Sequence, residues 1–137
     1  MDVFEPDKRS EIMRRVKSTD TKPEIVVRKM IHAMGFRFRL HRKDFPGTPD
    51  IVLPRHKKVI LVHGCFWHGH DCPAGRKTPK SNIKYWNQKL QRNSLRDVEN
   101  LAKLKALGWD VLILWECDIR RPEKVWRQLE RFLGAYA

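Results

Sequence analysis

The chain has 137 residues, 41% of them hydrophobic, and 29 Lys and Arg stand against 16 Asp and Glu, for a net charge of +13 and a pI of about 10.1. That length suits one domain over residues 1–137 with a core of its own, and the apolar share excludes a disordered basic tail. The charge excess points to a polyanion. With no apolar run long enough to span a bilayer, and no signal peptide in Met1-Asp2-Val3-Phe4-Glu5, nucleic acid is favoured over a membrane.

In chain order, residues 8–17 predict a short basic helix carrying Ile12, Met13 and Val16. Thr21-Lys22-Pro23-Glu24 fits a capping box, and the helix it opens carries Val27, Met30, Ile31 and Met34 and stops at Gly35. Phe36-Arg37-Phe38-Arg39-Leu40 alternates at period two and predicts a half-exposed strand. The Pro46-Gly47-Thr48-Pro49 turn leads into a strand at Asp50-Ile51-Val52-Leu53, and Val59-Ile60-Leu61-Val62 predicts a strand covered on both faces. Residues 64–80 read as loop, 81–107 as a long helix ending at Gly108, 110–115 as a buried strand and 122–133 as a last amphipathic helix. Strand 59–63, helix 81–107 and strand 110–115 form a right-handed parallel crossover. Parallel strands end at one sheet edge, so Cys65 and Cys117, each just past its strand, become neighbours.

Three cysteines in a chain without an export signal read as thiols or metal ligands. The run Cys65-Phe66-Trp67-His68-Gly69-His70-Asp71-Cys72 offers two thiols and two imidazoles, and Cys117 adds a third thiol. Three Cys and one His make a closed tetrahedral site of the structural-zinc type. Spacing leaves open whether His68 or His70 is the ligand.

Asp50 stands at a strand start, after a Pro-containing turn, on a basic protein. A carboxylate so placed can hold Mg²⁺ against a phosphate, although a turn residue reads the same way. The next strand has Val62-His63-Gly64 where restriction-type nucleases carry Glu-x-Lys. In the long helix Leu90, Asp97 and Leu104 are spaced by seven, so Asp97 interrupts an apolar stripe and calls for a partner.

Pro49-Asp50, the run from Val62 to Cys72 and Trp115-Glu116-Cys117 together resemble the very short patch repair (Vsr) endonuclease family. The resemblance covers residues 9–121. It implies an α/β restriction-endonuclease-like fold, a mixed central sheet flanked by helices with one structural zinc, that nicks one strand 5′ of the thymine in a T:G mismatch. It implies Mg²⁺ on Asp50 and on the main-chain carbonyl of Val62, where the family usually has Thr. His68 matches the general base, Asp97 the carboxylate orienting it, and His63 a histidine beside the scissile phosphate. Glu24 matches an acid contacting water on the metal, although a capping box also explains it. The zinc ligands become Cys65, His70, Cys72 and Cys117.

Aromatics on a stiffened basic loop suit wedging between base pairs, and the family uses the positions of Phe66, Trp67 and Trp86 in that way. Trp86, Lys89 and Asn93 recur at helical spacing and can face the mispair. Met13 matches a residue inserted from the minor groove, and Arg76, Lys77, Lys80 and Lys84 would bind phosphates without reading sequence. The expected partner is duplex DNA with a mismatch, bound by a monomer in the bacterial cytoplasm at the nucleoid, alongside other repair proteins. The competing readings are a related nuclease with another mismatch or sequence preference, and a zinc-stabilised DNA-binding module that does not cut. Asp50, His68 and Asp97 together separate a cutter from the binding module, because a binder needs none of them.

Overall fold

Thr21 opens helix α1 (Lys22–Ala33) in this computed structural model, which describes residues 21–68, 70–73 and 81–134. The expected helix at 8–17, Met13, Arg76, Lys77 and Lys80 lie outside the described residues. The Thr21 hydroxyl accepts the Glu24 N–H at 3.4 Å, and Pro23 falls in the first turn, where its missing donor costs nothing. At the other end Gly35 takes φ 87°, its N–H bonds the His32 carbonyl, and the Phe36 N–H bonds the Ile31 carbonyl. This is a Schellman ending, and it brings Phe36 and Ile31 into the same core cluster.

That ending shortens the next element. The expected strand 36–40 is reduced to β1 (Arg39–Leu40), because the Phe36 N–H is already committed to α1. Phe36 and Phe38 still turn inward as their alternation requires. β2 (Ile51–Leu53) pairs antiparallel with β1, then a 3₁₀ turn (Pro54–His56) leads to β3 (Lys58–His63), antiparallel to β2. Helix α2 (Ile83–Ala106) follows the loop, and β4 (Asp110–Trp115) pairs parallel with β3, His63 opposite Trp115. A single helical turn, α3 (Glu116–Ile119), was not expected from the sequence; the amphipathic α4 (Pro122–Leu133) ends the described chain.

The four strands stand in the order β1-β2-β3-β4, one mixed sheet with helices against both faces. Period-two alternation sorts the side chains. Ile51, Leu53, Ile60 and Leu114 face α1 and α4, meeting Val27, Ile31, Val125 and Leu129. Val52, Val59 and Leu61 face the other way and meet Leu104 of α2. Each such aliphatic side chain contributes roughly 1.5–3 kcal/mol on burial. Leu104 is the one fully buried residue of α2, so Leu104→Ala, at about 2–5 kcal/mol, is the change best placed to loosen that helix.

Candidate active site and metal cluster

The antiparallel β2–β3 register sets Ile51 opposite Ile60, so Asp50 falls level with the far end of β3. Its Oδ2 accepts the Val62 N–H at 2.7 Å. His63, the last residue of β3, and Trp115, the last of β4, share this sheet edge. A cleft of about 440 Å³ opens here, lined among others by His41, Asp50, Val62, His63, His68 and Asp97. Burial pushes the Asp50 carboxyl up to about 6; the Val62 hydrogen bond opposes this and the negative charge of Glu24 adds to it.

His68 and Asp97 meet across the cleft, with Nδ1 2.5 Å from the carboxylate Oδ2. The partner that the interrupted stripe on α2 called for is therefore this imidazole. His63 stacks face to face on His68, ring centroids 3.7 Å apart and planes 4° from parallel. Burial, and then the charge of His68, push His63 down to about 4, and its buried Nδ1 has no hydrogen-bond partner among the described residues. His63 is thus a neutral ring near pH 7.

Glu24 is 1% exposed, and its Oε1 is held by both Arg28 and His41. Only half of the expected capping box forms: Thr21 caps the helix, while the Glu24 carboxylate turns to Arg28 and His41 instead. One donor atom from each of Glu24, His41 and Asp50 lies within 4.8 Å of the others. Two carboxylates that close repel each other, and a divalent cation is the species that would relieve both. The donor set fits Mg²⁺ at Asp50, with Glu24, already bonded twice, in a supporting place.

Cys65, His70, Cys72 and Cys117 form a second cluster, one donor atom from each within 4.8 Å of the rest. The Cys117 N–H donates to Cys65 Sγ at 3.4 Å, and Cys117 Sγ lies 3.5 Å from His70 Nδ1. The His70 ring stacks on Trp115, 4.1 Å between centroids, which fixes its plane. Of the two histidines left open by spacing, His70 joins the thiols and His68 turns to Asp97. The α3 turn is what brings Cys117 off the end of β4 to face the loop. Burial pushes the Cys65 thiol up to about 12, so without a cation it stays protonated. Three thiols and an imidazole at this spacing fit a four-coordinate zinc ion, which would reverse that shift.

Beside this cluster Phe66, Trp67 and Trp86 pack mutually, with centroids 5.1 to 5.7 Å apart. The Lys89 ammonium lies 5.3 Å from the Trp67 ring centroid and 5.5 Å from that of Trp86, and the Asn93 amide donates to the Trp67 carbonyl at 3.2 Å. Trp86, Lys89 and Asn93 thus share one face of α2, turned to the loop; Lys84 is exposed one turn earlier.

The family model of the DNA mismatch endonuclease Vsr matches residues 1–74. The Type II nicking enzyme V.XorIIP of Xanthomonas oryzae pv. oryzae is 49% identical over 118 residues, 86% of each chain. The Type II nicking enzyme V.NmeAIP of Neisseria meningitidis is 41% identical over 132 residues, 96% of this chain and 94% of its own. The DNA mismatch endonuclease Vsr of Escherichia coli is 38% identical over 124 residues, 90% of this chain and 79% of its own. The chain belongs to the Vsr family. It is a DNA endonuclease, a hydrolase of phosphodiester bonds, with relatives in bacterial DNA repair.

In this Vsr-family chain the cleft gathers Asp50, Val62, His63, His68 and Asp97, with Glu24 behind Asp50. Reading the sequence missed His41 and Tyr85. His41 follows the Phe36–Leu40 alternation like any polar strand end, and only β1–β2 pairing sets it beside Asp50, whose carbonyl accepts the His41 N–H at 3.2 Å. Tyr85 is 56% exposed, with Lys89 5.9 Å from its ring, on the same aromatic face as Trp86. Its place beside Trp86 in the sequence was the available signal.

Proposed function

We propose that this chain nicks one strand of duplex DNA 5′ of the thymine at a T:G mismatch, with Mg²⁺ at Asp50 and zinc in the cysteine cluster, on a restriction-endonuclease-like fold. The observation that carries it is the His68–Asp97 pair opening onto the same cleft as Asp50. A protein that only grips DNA has no use for a base, its orienting carboxylate and a buried acid in one 440 Å³ space.

The chemistry assigns itself by ring nitrogen. Asp97 holds Nδ1–H of His68, which leaves Nε2 as the lone pair able to take a proton from the attacking water. Proton transfer makes His68 cationic, and the Asp97 carboxylate stabilises that state. His63, pressed flat on His68, fixes the ring against rotation and excludes water from its back face. Mg²⁺, when bound, supplies charge that neutralises the phosphate and its leaving oxygen. Asp50 is oriented for this by the Val62 N–H on Oδ2, and the Val62 carbonyl would be the second ligand. Phe66, Trp67 and Trp86 would wedge at the mispair, where unstacking costs least, while Lys89 and Asn93 face its edge. Met13 would enter from the minor groove. The protein acts as a monomer on mismatched duplex.

A second reading has specific support: the relatives from Xanthomonas and Neisseria are named Type II nicking enzymes. On that reading the same cleft serves another mismatch or flanking sequence. End-labelled duplexes carrying each mismatch, in Mg²⁺ and in chelator, separate the two. Nicking of T:G alone, on one strand and only with Mg²⁺, supports the first; equal cutting of paired DNA sinks it.

A further inference from the structure

We infer that His41 is a positioning residue of the metal centre, fixing the Glu24 carboxylate against Asp50. The inference rests on the reading that Asp50 holds the catalytic cation. His41 stands where two links cross. Its N–H bonds the Asp50 carbonyl, extending the β1–β2 ladder by one residue, and its Nε2 bonds Glu24 Oε1 on α1. It thereby ties the helix carrying one acid to the strand carrying the other.

Its backbone gives an independent sign. His41 has φ 47°, in the left-handed region that side chains other than glycine rarely adopt. Such conformations persist where surrounding contacts over-determine them, and they gather at functional sites. Here the left-handed turn breaks the strand alternation, which would have set His41 on the outward face with the exposed Arg37 and Arg39.

A direct ligand role fits the geometry less well. His41 Nε2 already serves Glu24 and lies 3.4 Å from the Arg28 guanidinium, so a cation on that nitrogen would sit against a fixed positive charge. With Arg28 and His41 both on Oε1, that oxygen of Glu24 is held from two sides. The role is that of the outer partners which orient metal ligands, whose loss typically weakens metal affinity by 10–100-fold.

The test uses the zinc-loaded full chain bound to a T:G duplex already nicked, so that no turnover occurs, and titrates it with Mn²⁺ while electron paramagnetic resonance counts the free ion. His41→Ala should raise the Mn²⁺ dissociation constant about tenfold or more, and raise the Mg²⁺ needed for half-maximal nicking of intact duplex alike. His41→Gln, whose amide N–H can reach Glu24, should stay within roughly threefold of the parent, which a general packing role would not produce. An Ala variant within about twofold of the parent, or a Gln variant as weak as Ala, overturns the inference. Asp50→Asn is the control. If it binds Mn²⁺ as the parent does, the metal reading itself falls and takes His41 with it; if it loses Mn²⁺ while His41→Ala does not, only the His41 role falls.

Discussion

His68 Nδ1 and Asp97 Oδ2 meet at 2.5 Å, joining the loop after β3 to the middle of α2 across 29 residues of sequence. Neither group is deeply buried: 25% of the His68 side chain and 27% of the Asp97 side chain are exposed, so the pair is open to a substrate and adds little to stability. Its consequence is kinetic. His68→Ala should lower the nicking rate by about 10²–10⁴, the range of a lost general base. Asp97→Asn should lose a large part of this, because an amide no longer enforces the Nδ1–H tautomer. The double variant should be little slower than His68→Ala, since groups acting as one unit are non-additive. Single-turnover rates on a T:G duplex measure this. Losses that multiply in well-folded variants would show that Asp97 acts apart from His68.

The cysteine cluster should carry one zinc ion per chain through purification. Its donors come from a loop and from the α3 turn, far apart in sequence, so the ion and the local fold are coupled. Cys117→Ala should release the metal and remove most of a typical domain stability of about 5–15 kcal/mol, as structural zinc binds with roughly 10 kcal/mol or more. Metal analysis with thermal melts reads both. A zinc-free protein melting like the parent would falsify the closed-site assignment.

Much of this was legible beforehand, for identifiable reasons. The runs Val59–Val62 and Val111–Trp115 mark strands by their apolar residues; β3 is covered on both faces as expected, while β4, expected as buried, is an edge strand that buries only Leu114. Asp97 was legible because a carboxylate between Leu90 and Leu104, seven residues from each, has no solvent-side explanation. The choice between His68 and His70 was not, since two residues of loop reverse where a ring points and spacing records no direction. β1 came out short because a helix ending took the Phe36 N–H, a competition invisible to alternation alone. His41 was missed because its value lies in a left-handed turn and a strand pairing, neither of which leaves a residue-type signature.

Trp67 is the aromatic best placed to test the wedge. It packs on Phe66 and Trp86, lies under Lys89, and offers its carbonyl to Asn93. Trp67→Ala should weaken binding to T:G duplex by about 1–3 kcal/mol, the value of one lost base stack, and leave plain duplex nearly unchanged. Plain-duplex binding rests on phosphate contacts and should fall steeply with added salt in parent and variant alike. Fluorescence titration at fixed salt gives both affinities. Equal losses on the two duplexes would mean that the ring only supports the loop.

Asp50 and His63 should tilt the pH dependence of stability in opposite directions. Burial holds Asp50 near 6 in the folded chain against 3.8 for a free carboxyl. The folded state therefore keeps this proton more tightly, and the stability so gained at low pH is lost as pH rises from about 4 to 6. His63 is held near 4 against 6.5. There the folded state favours the neutral ring, so its contribution is present above about 6.5 and lost as pH falls toward 4. Each amounts to about 3 kcal/mol at most, at 1.36 kcal/mol per pH unit of displacement. In the parent the two largely cancel between pH 4 and 6. Asp50→Asn should unmask the His63 slope, gaining on the parent as pH rises, and should exceed it at pH 7 without Mg²⁺. His63→Gln should unmask the opposite slope, losing relative stability over the same span. Denaturant unfolding at saturating zinc, read as variant minus parent at each pH, removes the contribution of thiolate protonation common to all three. Mg²⁺ should erase the Asp50→Asn advantage at pH 7, because it binds the ionised carboxylate that the variant lacks. Two variants that track the parent at every pH would show that neither group is buried in the charge state the cleft imposes.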